Sequence, residues 1–181
     1  LLQFKEFKKY ASGNKAPTAK KQEEVHTASS KTPSEILDEA YQEINKDLTQ
    51  KLLDEVKRQS PQFFEQLVIR LLVNMGYGGS FEDAAKVTQY SHDDGIDGVI
   101  KEDKLGLDTI YIQAKRYTTQ AVQKPDLQKF IGALVEHKAT KGIFITTSSF
   151  SSGALETCKK AEHVKIILID GLQLANFMIE Y

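Results

Sequence analysis

Asp97, Gln113 and Lys115 are the residues whose types and spacing suggest chemistry. They lie in Asp93-Asp94-Gly95-Ile96-Asp97-Gly98 and in Tyr111-Ile112-Gln113-Ala114-Lys115, on segments 96–101 and 108–116 that alternate apolar and polar and are joined by residues 102–107. Two such segments read as a β-hairpin. Side chains alternate along a strand, so Gln113 and Lys115 share one face while Ile110, Ile112 and Ala114 take the other. A natural hairpin register brings Asp97 beside the end of the second strand. A carboxylate, an amide oxygen and an ammonium then meet at one end of a sheet, a set that suits phosphodiester hydrolysis. Oxygen ligands hold Mg²⁺ while leaving positions for water and phosphate. The ion lowers the pKa of a bound water and offsets phosphate charge, and a lysine stabilises the transition state or orients the water. Gln113 in place of a carboxylate leaves the site one negative charge short, which a further carboxylate would restore. Glu65, flanked by Phe63, Phe64, Leu67 and Val68, is the candidate; the alternative is a solvated helical position. Asp93 is a secondary candidate for the metal, with Asp94 beside it, although such a pair also shapes turns. His92 reads as an exposed loop residue.

The elements that must carry these residues follow from periodicity. Thr32-Pro33-Ser34-Glu35 is a capping signal for a helix over 34–58 with apolar residues at three- and four-residue spacing. Its stripe would pack on the domain or serve as an association surface. Ser60-Pro61 opens a second helix, 61–75, that buries Phe64, Leu67, Val68, Leu71 and Leu72 and stops at Gly76; Tyr77-Gly78-Gly79 makes a turn. Residues 85–90 suggest a short strand. After the hairpin come a helix from Pro125 to about Lys138, a buried strand 142–147, a helix 151–162, a buried strand 165–169 and a last helix capped by Asp170. Helices, a hairpin and then alternating elements predict an α/β sandwich: a mixed central β-sheet flanked by helices and preceded by a helical segment.

Residues 11–33 are small, polar and aperiodic, and read as a flexible linker; residues 1–10 resemble the end of a preceding element. Residues 1–33 are therefore expected to be a remnant plus linker, and 34–181 the domain proper. The start at Leu1 rather than Met fits a piece of a longer protein. The 181 residues hold one sizeable core. Residues 1–33 carry seven lysines against three glutamates, a net of +4, leaving 17 Lys and Arg against 22 Asp and Glu, a net of −5. A body of that charge binds polyanions only through local patches. The single Cys158 excludes an internal disulfide and thiolate zinc sites, suits a reducing cytoplasm, and reads as packing. No apolar run reaches the length of a membrane span, and no G-x-S-x-G elbow supports a serine hydrolase.

The stretches SPQFFEQLVIRLLVNMGYGG, DDGIDGVI, GLDTIYIQAKRY, IGAL, KGIFITTSSFS and VKIILIDGLQLANFM together resemble the catalytic domain of Mrr-type (type IV) restriction endonucleases, in the PD-(D/E)xK nuclease superfamily. This family has Q-x-K where the superfamily has E-x-K, here Gln113-Ala114-Lys115. Its active-site aspartate falls on Asp97 and its helix glutamate on Glu65. The resemblance implies a restriction-endonuclease-like fold and a Mg²⁺-dependent endonuclease, with Mn²⁺ able to substitute, that restricts methylated double-stranded DNA in the prokaryotic cytoplasm, at the nucleoid when acting. It also implies an N-terminal winged-helix DNA reader as partner domain. Cutting both strands needs two sites, hence a homodimer or higher oligomer.

Lys115, Arg116, Lys124 and Lys129, with Lys138, Lys141 and Tyr117, form a candidate phosphate-contacting rim, and Gln128 on the same helix is a secondary site candidate. Thr146-Thr147-Ser148-Ser149 offers either a phosphate site or a helix cap. Two other functions remain compatible with these residues: a structure-specific nuclease for branched DNA, and a catalytically silent nuclease fold used for DNA binding or assembly.

Overall fold

The computed structural model describes residues 31–78, 95–102 and 107–181. Residues 1–30 of the expected remnant and linker, the strand suggested at 85–90, His92, Asp93, Asp94, Gly79 and the centre of the hairpin loop lie outside the described residues. Two compact units divide the chain, Leu1–Leu37 and Asp38–Tyr181. In the first, the described residues start a helix through the expected cap: Thr32 Oγ1 accepts from the Glu35 amide at 3.3 Å and the Glu35 carboxylate accepts from the Thr32 amide at 2.6 Å. These bonds hold the Glu35 carboxyl below its usual range.

Helix α1 runs Pro33–Arg58 and α2 Pro61–Asn74, followed by strands β1 (Gly98–Lys101) and β2 (Thr109–Lys115). Next come α3 (Lys124–Glu136), β3 (Lys141–Thr146), α4 (Ser152–Lys159), β4 (Lys165–Ile169) and α5 (Gly171–Glu180). The sheet order is β1-β2-β3-β4, with β1 antiparallel to β2 and the remaining pairs parallel. Both β-α-β crossovers put their helices on one face. There Leu127, Phe130 and Leu134 of α3 and Ala154 of α4 enclose Phe144, whose ring meets Phe130 edge-on at 5.5 Å. The other face packs Phe64, Val68 and Leu72 of α2, Leu174 of α5 and Val56 of α1 on Ile110, Ile112, Ala114, Ile143 and Ile145. The α1 stripe thus splits. Its C-terminal part, Leu53 and Val56, is core, while Tyr41, Ile44 and Leu48 are exposed.

Caps set the helix starts. Ser60 accepts from the Phe63 amide at 3.1 Å, and Asp170 and Gln173 exchange side-chain and backbone bonds at the head of α5. Gly142 is required by close approach, since a Cβ there would lie 2.8 Å from Leu134 Cδ1 and 2.9 Å from Phe130 Cζ. Its bare backbone lets α3 settle against β3 beside the site-bearing strand.

Candidate active site

The end of the β1–β2 ladder decides where the chemistry-bearing side chains stand. Gly98 opposes Ile112, and the Asp97 amide still donates to the Ile112 carbonyl at 2.8 Å. Beyond that point, on the N-terminal side of β1, the Asp97 side chain takes over as acceptor. Its Oδ2 receives the Ala114 amide at 2.7 Å and the Nε2 of Gln113. The hairpin register expected from the alternating segments therefore holds, and Asp97 is fixed to β2 by its own carboxylate.

Gln113 is 5% exposed, an amide buried inside a strand, and its bond to Asp97 meets the demand that buried polar groups be paired. With Nε2 on the carboxylate, Oε1 faces the Gly95 backbone. Gly95 has φ +80°, the left-handed region, and a Cβ there would lie 3.2 Å from Gln113 Oε1. The missing methyl leaves a gap beside the amide oxygen. A carboxylate and an amide oxygen at the edge of a gap are hard donors that fit Mg²⁺. Among the described residues no three His, Cys, Asp or Glu side chains form a ligand cluster. An ion here would be held by few protein oxygens and keep much of its water, the usual habit of Mg²⁺.

Lys115 ends β2, half-buried, on the Gln113 face. Its carbonyl accepts from Thr146 Oγ1 at 2.8 Å and from the Thr147 amide at 3.4 Å, and Thr147 Oγ1 donates to the Tyr117 carbonyl at 2.8 Å. Both threonines are buried. Neither alternative for 146–149 anticipated this clamp. The helix-cap role falls to Ser151, which accepts from the Ala154 amide at 3.3 Å. Hydroxyls at the end of a fully buried strand were the available signal, because buried polar groups need partners nearby.

The structure divides the lysine and arginine rim. Arg116 is tied inward: Nη1 donates to the Lys57 carbonyl in the last turn of α1 at 2.6 Å, and Nε is buried with no partner among the described residues. Lys141 binds Glu102 and, at 2.8 Å, Asp108, bonds that push its pKa up to about 12. Lys124 and Gln128 line a groove of about 520 Å³ between α3 and α4 with Ile131, Glu156 and Lys160. Lys129, one residue on from Gln128, approaches Gly95 instead. Glu65 is half-buried on α2, the helix covering the sheet face opposite Gln113 and Lys115. The Tyr117 hydroxyl donates to Asp126 at 3.1 Å, and burial followed by that carboxylate raises its pKa.

A family model for a restriction endonuclease, Mrr_cat, matches residues 56–178. The chain belongs to this Mrr-type restriction-endonuclease family. Within the Mrr-type catalytic domain, Asp97, Gln113 and Lys115 all fall inside the matched span. The type IV methyl-directed restriction enzyme EcoKMrr of Escherichia coli (strain K12) is 42% identical over 149 residues, 82% of this chain and 48% of that protein. The chain thus spans about half the length of that relative. In fold it is similar to the DNA modification-dependent restriction endonuclease AspBHI, with a TM-score of 0.57 and 16% identity over 74% of this chain and 35% of the other. It is also similar to the MspJI restriction endonuclease in complex with a 27-mer oligonucleotide, with a TM-score of 0.53 and 22% identity over 74% and 30%. These likenesses establish the restriction-endonuclease fold of the mixed sheet and its helices.

Proposed function

We propose that this Mrr-type domain is a Mg²⁺-dependent DNA endonuclease, the cleavage module of an enzyme that restricts methylated foreign DNA in the cytoplasm. The observation that carries the reading is the Asp97 carboxylate pinned to the Ala114 amide and to Gln113, two residues before Lys115. Asp97 and the Gln113 amide oxygen would hold the ion, and Glu65, whose helix α2 covers the opposite sheet face, would have to reach it around the end of β2 to complete the set. Mg²⁺, or Mn²⁺ in its place, would supply an acidified water and offset phosphate charge.

The chain's own residues perform the rest. Asp97 keeps a fixed orientation because the Ala114 amide holds it, so little reorganisation accompanies substrate binding. Lys115 presents an ammonium on the Gln113 face, where it stabilises charge developing on the phosphate or orients the attacking water. The Thr146 hydroxyl fixes the Lys115 backbone. Double-strand cleavage needs a cut on each strand, which a homodimer or larger assembly would deliver with two such sites. Recognition of the modified base belongs to an N-terminal winged-helix partner domain, because backbone contacts position a protein and base contacts specify.

The test is cleavage of methylated and unmethylated plasmid with Mg²⁺, comparing the chain with Asp97→Ala. Metal-dependent cutting that the substitution removes supports the reading, and a preference for methylated plasmid supports the restriction role. DNA binding without cutting on any substrate would sink it and favour a silent module. Preference for a four-way junction over plasmid would replace it with a branched-DNA nuclease.

A further inference from the structure

Lys129 stands apart from the other rim cations. A Cβ built on Gly95 would lie 3.4 Å from Lys129 Cε and 3.7 Å from its Cδ, as well as 3.2 Å from Gln113 Oε1. One small volume beside Gly95 is therefore bounded by the lysine stem and by the buried amide oxygen. The stem is laid across the glycine while the residue stays exposed, the usual way a lysine rests its methylenes on the protein and leaves its head in water. Arg116 and Lys141 spend their charge on internal partners; among the described residues Lys129 has no hydrogen-bond or ion-pair partner.

The identity of residue 113 bears on that charge. With its Nε2 on Asp97, Gln113 turns a neutral oxygen toward the Lys129 stem. A glutamate there would put a carboxylate within reach of the ammonium and neutralise it in an ion pair. An ammonium with no partner among the described residues, at the rim of a carboxylate-amide site, suits an anion arriving from solvent.

We propose that Lys129 is a second phosphate-contacting lysine of the site, positioned through the gap that Gly95 leaves, and that the neutral Gln113 keeps its charge available to the DNA backbone. The proposal rests on the nuclease reading for the identity of the anion. It is tested with the full chain and a short DNA duplex without divalent metal, measuring affinity by fluorescence anisotropy over roughly 50–200 mM salt. Lys129→Ala is expected to make the slope of log K against log salt shallower by about 0.9, one phosphate contact. Lys129→Arg should restore the slope, and Lys160→Ala, the same charge change in the α3–α4 groove, should leave it at the wild-type value. In a Gln113→Glu background, Lys129→Ala should no longer change the slope. An unchanged slope in Lys129→Ala, a slope that Lys160→Ala lowers equally, or no measurable binding at low salt overturns the proposal. If Mg²⁺ cleavage persists in the wild type and vanishes in Asp97→Ala while the Lys129 slope is unchanged, the second lysine fails and the nuclease stands. If the slope falls but nothing is cut, the phosphate contact stands and the nuclease fails.

Discussion

At the scale of single residues, Asp97 has two separable properties, its charge and its place as an acceptor. Its Oδ2 satisfies the Ala114 amide just before β1 begins, so deleting the side chain orphans a strand donor and also removes the oxygen proposed to hold the metal. Asp97→Asn keeps an oxygen for that amide and removes only the charge. We expect Asn to lower cleavage below detection with a near-wild-type melting temperature, and Ala to lose cleavage and stability together, by about 1–3 kcal/mol. Plasmid nicking assays beside thermal unfolding separate the two. Lys115→Ala should lower the rate by roughly 10²–10³-fold without changing the fold. Cys158 is a quieter case: burial raises its thiol pKa, so less thiolate exists at a given pH than in the unfolded chain. Alkylation by iodoacetamide near pH 8 should be slower in the native protein than in denaturant, and equal rates would contradict the burial.

At the scale of elements, the site is a junction that sequence made only partly readable. Asp97, Gln113 and Lys115 were legible because period-2 alternation fixes a strand's faces and a hairpin fixes register. The helices were legible because their caps are local: Thr32, Ser60 and Asp170 bond within three residues. What alternation does not encode is the neighbour supplied by a parallel crossover. Thr146 reaches the Lys115 carbonyl across the β2–β3 pairing, 31 residues away, and Arg116 reaches Lys57, 59 residues back. Helical phase is likewise not encoded by spacing alone: α3 turns Gln128 into a groove and Lys129 toward Gly95. Thr146→Val tests the clamp. It keeps the shape and leaves the Lys115 carbonyl short of its hydroxyl donor, so unfolding free energy should fall by about 1–3 kcal/mol, with a drop in cleavage rate at saturating DNA and little change in affinity. The Lys141 bridge gives a pH signature. Its folded pKa lies near 12, above the ordinary 10.5, so its contribution is complete below about 10.5 and fades as pH rises through 12. Lys141→Met should therefore unfold more readily than wild type at pH 8, with the difference shrinking in strongly alkaline solution.

At the scale of the whole molecule, charge and stoichiometry constrain how such a site acts. Residues 34–181 carry a net −5, which repels a polyanion at long range, so productive contact depends on local cations near the β2 end such as Lys115 and Lys129. Affinity for DNA should then be weak and fall steeply with salt. Under the proposed reading, one Asp97–Lys115 pair per chain would hydrolyse one strand, so a double-strand break would need a second copy on the opposite strand or a second visit. These routes differ in concentration dependence. If copies assemble on DNA, linear product should rise with about the square of protein concentration below the assembly constant, with nicked circles rising linearly, because association follows mass action. If a single copy cuts twice, both products should scale linearly and nicks should always precede breaks. Following supercoiled plasmid to nicked and linear forms over a dilution series decides between them, and a linear dependence for the breaks would remove the need for a dimer.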